Sequence, residues 1–93
     1  MKKSYITYTE DEGDLYIEEI YVDKSERRQG KGFQLLNEAK EEAKKEGLKR
    51  LTVCVSPTDD MCSLSDLIEF YQSYGFEVEN DNGDYALMNY TIF

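Results

Sequence analysis

Arg27-Arg28-Gln29-Gly30-Lys31-Gly32 is the stretch whose reading decides the fold. It is a basic, glycine-spaced turn between an apolar strand read over residues 15–22 and an amphipathic helix read over residues 30–46. Glycine lets the backbone approach a ligand closely, and a helix N-terminus offers free amides together with the positive end of its dipole. The turn therefore reads as a cradle for a phosphate-like anion. Two glycines that merely permit a tight strand-to-helix turn, with solvated basic side chains around it, would spell the same letters. The turn alone does not separate these readings.

Outward from it the apolar periodicity changes in a definite order. Residues 5–9 are rich in Tyr, Ile and Thr and read as a strand, residues 10–14 with Gly13 as a turn, and residues 15–22 as the second arm of a hairpin. In the following helix Leu35, Leu36, Ala39 and Ala43 share one face, Glu41 can meet Lys45 four residues on, and Gly47 can end it. Residues 50–56 contain Leu51-Thr52-Val53-Cys54-Val55, a strand expected to run parallel to residues 15–22 through a right-handed crossover. Cys54 is expected in the core.

Residues 57–62 form a loop, and Ser63 with Asp66 three residues later is a helix-start signature. The second helix carries Leu64, Leu67, Ile68, Tyr71 and Tyr74 at three-and-four spacing, which sets Tyr71 on the buried or site-facing side. Gly75 is expected to end it. Residues 76–78 and 85–92 read as strands joined through Asp81-Asn82-Gly83-Asp84, and Asn-Gly is a strong hairpin signal. The expectation is one α/β (α+β) domain over residues 1–93, in the order β-β-α-β-α-β-β, with a mixed sheet and helices on its faces.

Composition bounds the function. With 93 residues, 40% hydrophobic content, eight Tyr and four Phe, the chain can bury one modest core. No apolar run approaches the roughly 18 residues that a membrane span requires, and Met1-Lys2-Lys3 does not lead into a signal-peptide core, so a cytoplasmic protein is expected. Cys54 and Cys62 read as reduced thiols, and without a single His no metal is expected. The net charge of −9 is segregated: residues 1–23 hold seven acids and two bases, residues 24–50 nine bases and five acids, and residues 51–93 eight acids and no base. A basic middle in an acidic chain suits an anionic ligand there and a basic partner elsewhere. Direct nucleic-acid binding is disfavoured by the acidic flanks.

Two motifs together carry a resemblance. Arg27-Arg28-Gln29-Gly30-Lys31-Gly32 resembles the Arg/Gln-x-x-Gly-x-Gly/Ala signature of the GNAT superfamily of N-acetyltransferases. Phe70-Tyr71-Gln72-Ser73-Tyr74-Gly75-Phe76 resembles that family's Leu-Tyr-Glu-Lys-x-Gly-Phe segment. Residues 56–77, with Pro57, Asp59-Asp60 and Asp66-Leu67-Ile68-Glu69-Phe70-Tyr71, are similar to very short phage-encoded members, protein-lysine acetyltransferases of the anti-CRISPR type.

The resemblance implies two splayed parallel central strands with acetyl-CoA as co-substrate. The pantetheine arm would bond the backbone of Ile20, Tyr21 and Val22, and the pyrophosphate would rest on Arg27, Arg28, Gln29, Gly30, Lys31 and Gly32, with Lys24 at the rim. Tyr71 is implied as the acid serving the CoA sulfur. Glu18 is expected as the general base, on one strand face with Tyr16, Ile20 and Val22, with Glu19 facing away; a water relay is the alternative.

Departures from the pattern also inform. Most members place a strand and two helices ahead of this hairpin, closing over the acceptor, whereas 14 residues precede Leu15 here. An open acceptor side favours a lysine on a basic protein surface over a small amine, and a homodimer could also supply the missing wall. The family's Asn seven residues before the motif tyrosine is Leu64, and its small Ala four before is Leu67. A catalytically degenerate acyl-CoA-binding or partner-docking module is the rival reading.

Overall fold

The structure, a computed structural model, describes residues 4–26, 30–57 and 63–92. β1 (Tyr5–Asp11) and β2 (Asp14–Tyr21) form an antiparallel hairpin. A 3-10 turn at Lys24–Glu26 leads toward α1 (Lys31–Lys45), then β3 (Arg50–Val55), α2 (Leu64–Tyr74), β4 (Glu77–Asp81) and β5 (Ala86–Thr91). The five strands make one mixed sheet in the order β1-β2-β3-β5-β4, with β2 and β3 parallel. The expected element order holds throughout, while the 3-10 turn had no sequence signal. The 57–62 loop, with Cys62 and the Asp59-Asp60 pair, lies outside the described residues beyond Pro57.

Both helices rest on the same face of the sheet. Parallel pairing sets Leu15 beside Leu51 and Ile17 beside Val53, and antiparallel pairing sets Val53 opposite Met88 and Val55 opposite Ala86. These residues join Leu36, Ala39 and Ala43 of α1 and Tyr71 of α2 in one core cluster. The helices also touch each other. Phe33 packs against Phe70 and Tyr74 with ring centroids 5.4 Å apart in each case, and the Tyr74 hydroxyl donates to Asn37 Oδ1 at 2.6 Å. Among the described residues no element packs on the opposite face of the sheet.

Cys54 corrects the sequence expectation: it is exposed, not in the core. Leu51, Val53 and Val55 point into the core, so strand alternation sends Thr52 and Cys54 to the uncovered face. The hydrophobic character of a thiol suggested burial, but the period of two decides it.

Local chemistry starts and stops the helices as anticipated. Ser63 caps α2: its hydroxyl accepts from the Asp66 amide at 3.1 Å, while the Asp66 carboxylate accepts from the Ser63 amide. At the other end Gly75 has φ 125° and donates to the Tyr71 and Gln72 carbonyls, turning the chain into β4. A Cβ at Gly75 would come within 2.9 Å of the Tyr90 ring. Gly75→Ala is therefore expected to lower unfolding free energy by about 1–3 kcal/mol, the usual cost of a side chain held in such a backbone region. Urea titration of the two proteins measures it.

Candidate active site

The site arises where the parallel pair stops being a pair. β2 and β3 are in register over only four positions, from Asp14 beside Arg50 to Ile17 beside Val53. At the closed end the Arg50 guanidinium clasps the Asp14 carboxylate through two bonds, Nε to Oδ1 at 3.2 Å and Nη2 to Oδ2 at 2.8 Å. Beyond Ile17 and Val53 each strand keeps its other partner, β1 for β2 and β5 for β3. Glu18 and Cys54 are thus the first residues on either side of the opening.

A break in the β1–β2 register explains which side chains line it. Thr7 faces Glu19 and Tyr8 faces Ile17, so Glu18 is an extra residue on β2, a β-bulge. The bulge resets the alternation. Ile20 packs against the core with Leu15 and Ile17, while Tyr16 lies opposite Thr9 on the uncovered face. Glu18 therefore does not share one face with Tyr16, Ile20 and Val22 as simple alternation implied. Glu19 lies opposite Thr7 on the uncovered side, and both Glu18 and Glu19 border the opening and are exposed.

The opening is a cavity of about 210 Å³ lined by residues 17–21 of β2, residues 53–56 of β3 and its exit, and Leu67 and Tyr71 of α2. That is smaller than the roughly 300–1,000 Å³ of common small-molecule pockets, and fits a narrow arm better than a bulky ring system. Ile20 and Tyr21 are in the lining; Val22, just past the strand, is not. Leu67, Cys54 and Glu19 are lining residues missed in the sequence. Leu67 was legible in principle, since it lies four residues before Tyr71 on the same helix face.

Tyr71 is the chemically distinctive member. Its side chain is 4% exposed and its ring packs edge-on against Phe70 and Phe76. The hydroxyl has no partner among the described residues. Because no side-chain N or O atom there is both sealed from solvent and unpaired, it must reach solvent through the cavity. Burial pushes its pKa up to about 12. The phenol is thus a neutral hydrogen-bond donor at any physiological pH, in the wall of the slot.

The glycine turn is seen from Gly30 onward; Arg27, Arg28 and Gln29 lie outside the described residues. Gly30 has φ 75° in the position that caps α1, and its carbonyl accepts from the Gln34 amide at 3.0 Å. The amides of Lys31, Gly32 and Phe33 precede that first intrahelical bond and project from the helix end. Gly32 has a packing reason of its own, since a Cβ there would meet the Phe70 ring at 2.7 Å. Glycine at 32 lets α2 close onto α1. The Lys31 ammonium lies 3.6 Å from Glu26, whose carboxylate also accepts from the Ser4 hydroxyl at 2.8 Å. The Ser4 bond, reinforced by Lys31, holds the Glu26 carboxyl below its usual range. Lys31 is thus tethered beside the turn. Among the described residues no group of three or more His, Cys, Asp or Glu could hold a metal ion.

A mixed sheet whose parallel central strands part around a narrow slot, with a buried tyrosine in its wall, is the architecture of an acetyltransferase fold. The chain belongs to the GNAT acetyltransferase family, whose family model matches residues 4–76. Among solved structures it is similar to the anti-CRISPR protein AcrVA5, with 38% identity, 95% of this chain and 90% of that chain covered, and a TM-score of 0.81. The fold is also that of the PaiA N-acetyltransferase of Thermoplasma acidophilum in complex with coenzyme A. There identity is 21%, coverage 96% of this chain and 53% of that one, and the TM-score 0.79. The ribosomal-protein-S18-alanine N-acetyltransferase of Escherichia coli matches at 22% identity over 97% of this chain and 61% of its own, with a TM-score of 0.74. This chain thus spans nearly all of AcrVA5 but under two thirds of the two longer enzymes. No curated protein matches it by sequence.

The raised Tyr71 pKa has a consequence for stability. A group that holds its proton more tightly when folded contributes fully below its unfolded pKa, near 10, and that contribution is lost as pH rises toward 12. About two units correspond to roughly 3 kcal/mol. Tyr71→Phe is expected to be about as stable as the parent at pH 7, because it removes a hydroxyl without a protein partner, and to lose less stability between pH 10 and 12. Denaturant midpoints measured across that range check the sign.

Proposed function

We propose that the protein transfers the acetyl group of acetyl-CoA to a lysine amine on a basic protein surface. The observation that carries this is the Tyr71 hydroxyl, which has no partner among the described residues and belongs to the wall of the slot where β2 and β3 separate. The residues fit the co-substrate on two further counts. The cavity of about 210 Å³ suits a slender pantetheine arm, and the amides after Gly30 project from a positive helix end suited to a pyrophosphate. Bound there, acetyl-CoA supplies a thioester, an acetyl group activated for attack by nitrogen.

The chain's own residues then divide the work. Backbone groups of Ile20, Tyr21 and Val22 hold the arm as a neighbouring strand would. Arg27, Arg28, Gln29, Gly30, Lys31 and Gly32 take the phosphates, with Lys24 at the rim. Glu18, exposed at the mouth, accepts the proton that the amine sheds as nitrogen bonds to the carbonyl carbon, directly or through a water. Tyr71 donates to the sulfur as the carbon–sulfur bond breaks. With its pKa near 12 against roughly 8.5 for an ordinary thiol, complete proton transfer to a thiolate would be uphill by about 5 kcal/mol. A hydrogen bond to the departing sulfur avoids that cost. Tyr71 therefore acts chiefly by stabilising the leaving group.

Intact-mass spectrometry of a lysine-rich basic protein incubated with acetyl-CoA and the enzyme is expected to show one added acetyl group per modified lysine. Tyr71→Phe should reduce kcat by about 10²-fold, the low end for loss of a general acid, with acetyl-CoA affinity little changed. Tight association with no gain in mass would instead favour the reading as a docking module without catalysis.

A further inference from the structure

We propose that the uncovered face of the sheet is the surface on which the acceptor protein docks, and that it selects a flat, basic, lysine-bearing patch. The inference rests on the transfer reading above. It begins with the register, which places Thr9, Tyr16, Thr52 and Asn89 side by side across β1, β2, β3 and β5 on the face away from both helices. Glu77 pairs with Asn89 at the outer edge, and Glu79 accepts from the Asn89 side-chain amide at 3.3 Å. At the near edge Tyr5 and Tyr21 stack with ring centroids 5.5 Å apart. The tyrosines, Thr52 and Asn89 are half-buried, a surface of rigid rings and short polar groups that can be covered at small entropic cost.

Charge identifies the occupant. Asp11, Asp14, Glu19, Glu77 and Glu79 belong to this face by strand register or bonding, and the exposed Glu18 lies at the bulge beside them. Its one base among the described strand residues, Arg50, is already engaged by Asp14. On the opposite side of the molecule α1 mixes Lys40, Lys44 and Lys45 with Glu38, Glu41 and Glu42, and Lys44 pairs with Glu41, so charge there is largely offset within the helix. A second copy laid face to face would set acid against acid. A basic partner is attracted, and the exposed Glu18, Glu19 and Cys54 border the slot, so a lysine lying on the face is already beside it.

Size is consistent with turnover. Five strands at about 4.8 Å spacing, each six or so residues at about 3.3 Å, make a platform of roughly 400 Å². Twice that area lies in the class of transient contacts, below about 1,200 Å² in total. A partner held so lightly would leave after one transfer.

The test uses cytochrome c, a small lysine-rich basic protein, and N-α-acetyl-lysine methylamide as acceptor probes. Glu77→Lys/Glu79→Lys reverses two charges on exposed β4, away from the slot. kcat/KM for cytochrome c is expected to fall about tenfold or more, and to fall with added salt in the parent, while the small amide and acetyl-CoA affinity change less than about twofold. Independently of catalysis, amide shifts of the 15N-labelled protein at low salt with cytochrome c should centre on Tyr16, Thr52 and Asn89. Shifts centred on α1, no shifts, or equal loss of rate for both probes would overturn the docking surface. Shifts on the face with neither probe acetylated would uphold docking and strike the transfer reading instead.

Discussion

The four-position parallel pairing of β2 with β3 is the constraint on which the rest of this molecule depends. One end is clasped by Arg50 and Asp14, and the other is released by the bulge at Glu18. A bulge bends its strand and adds twist, so β2 follows β1 while β3 follows β5. Opening the slot costs the pair its remaining ladder bonds. α2 offsets this by laying Leu67 and Tyr71 along the gap, with Tyr71 buried among aromatic rings and its hydroxyl left at the cavity. Closing the strands would require displacing that helix.

The same geometry explains why one glycine serves two ends. Gly32, expected from the sequence to let a phosphate approach, is where Phe70 lies on α1. If α2 could not close onto α1, Tyr71, one residue beyond Phe70, would not be fixed over the slot. The turn and the tyrosine motif, separate in the sequence, are in contact through this ring. Their joint presence is a packing requirement as well as a chemical one.

Much of the fold was legible because it is written in local terms: the capping box at Ser63, the glycine stop at Gly75, the Asn-Gly hairpin, and the apolar stripe of α1. What escaped is what depends on neighbours. The bulge at Glu18 carries no glycine or proline to announce it, so alternation predicted one face for Glu18 and the opposite one for Glu19, and both came to the slot. Cys54 is a different failure. Its exposure was written in Leu51-Thr52-Val53-Cys54-Val55, where hydrophobicity was weighed above period. The motif residues Arg27, Arg28 and Gln29 fall outside the described structure, so their share in holding phosphate rests on the family resemblance.

The polarity of the molecule follows from leaving one sheet face bare. A face covered by helices must be largely apolar, and the strand residues turned toward α1 and α2 are Leu, Ile, Val, Ala and Met, with Tyr8 and Tyr90 packed at the margin. A bare face has no such requirement, so acids can accumulate there without a desolvation cost. That freedom lets the strand acids Asp11, Asp14, Glu19, Glu77 and Glu79 gather on one side of the sheet. The acids gather on the bare side, where Glu18, Glu19 and Cys54 border the slot, while α1 and α2 seal the other face with the apolar core. A partner approaching the bare face therefore meets negative charge at the slot mouth before it meets the apolar wall behind it.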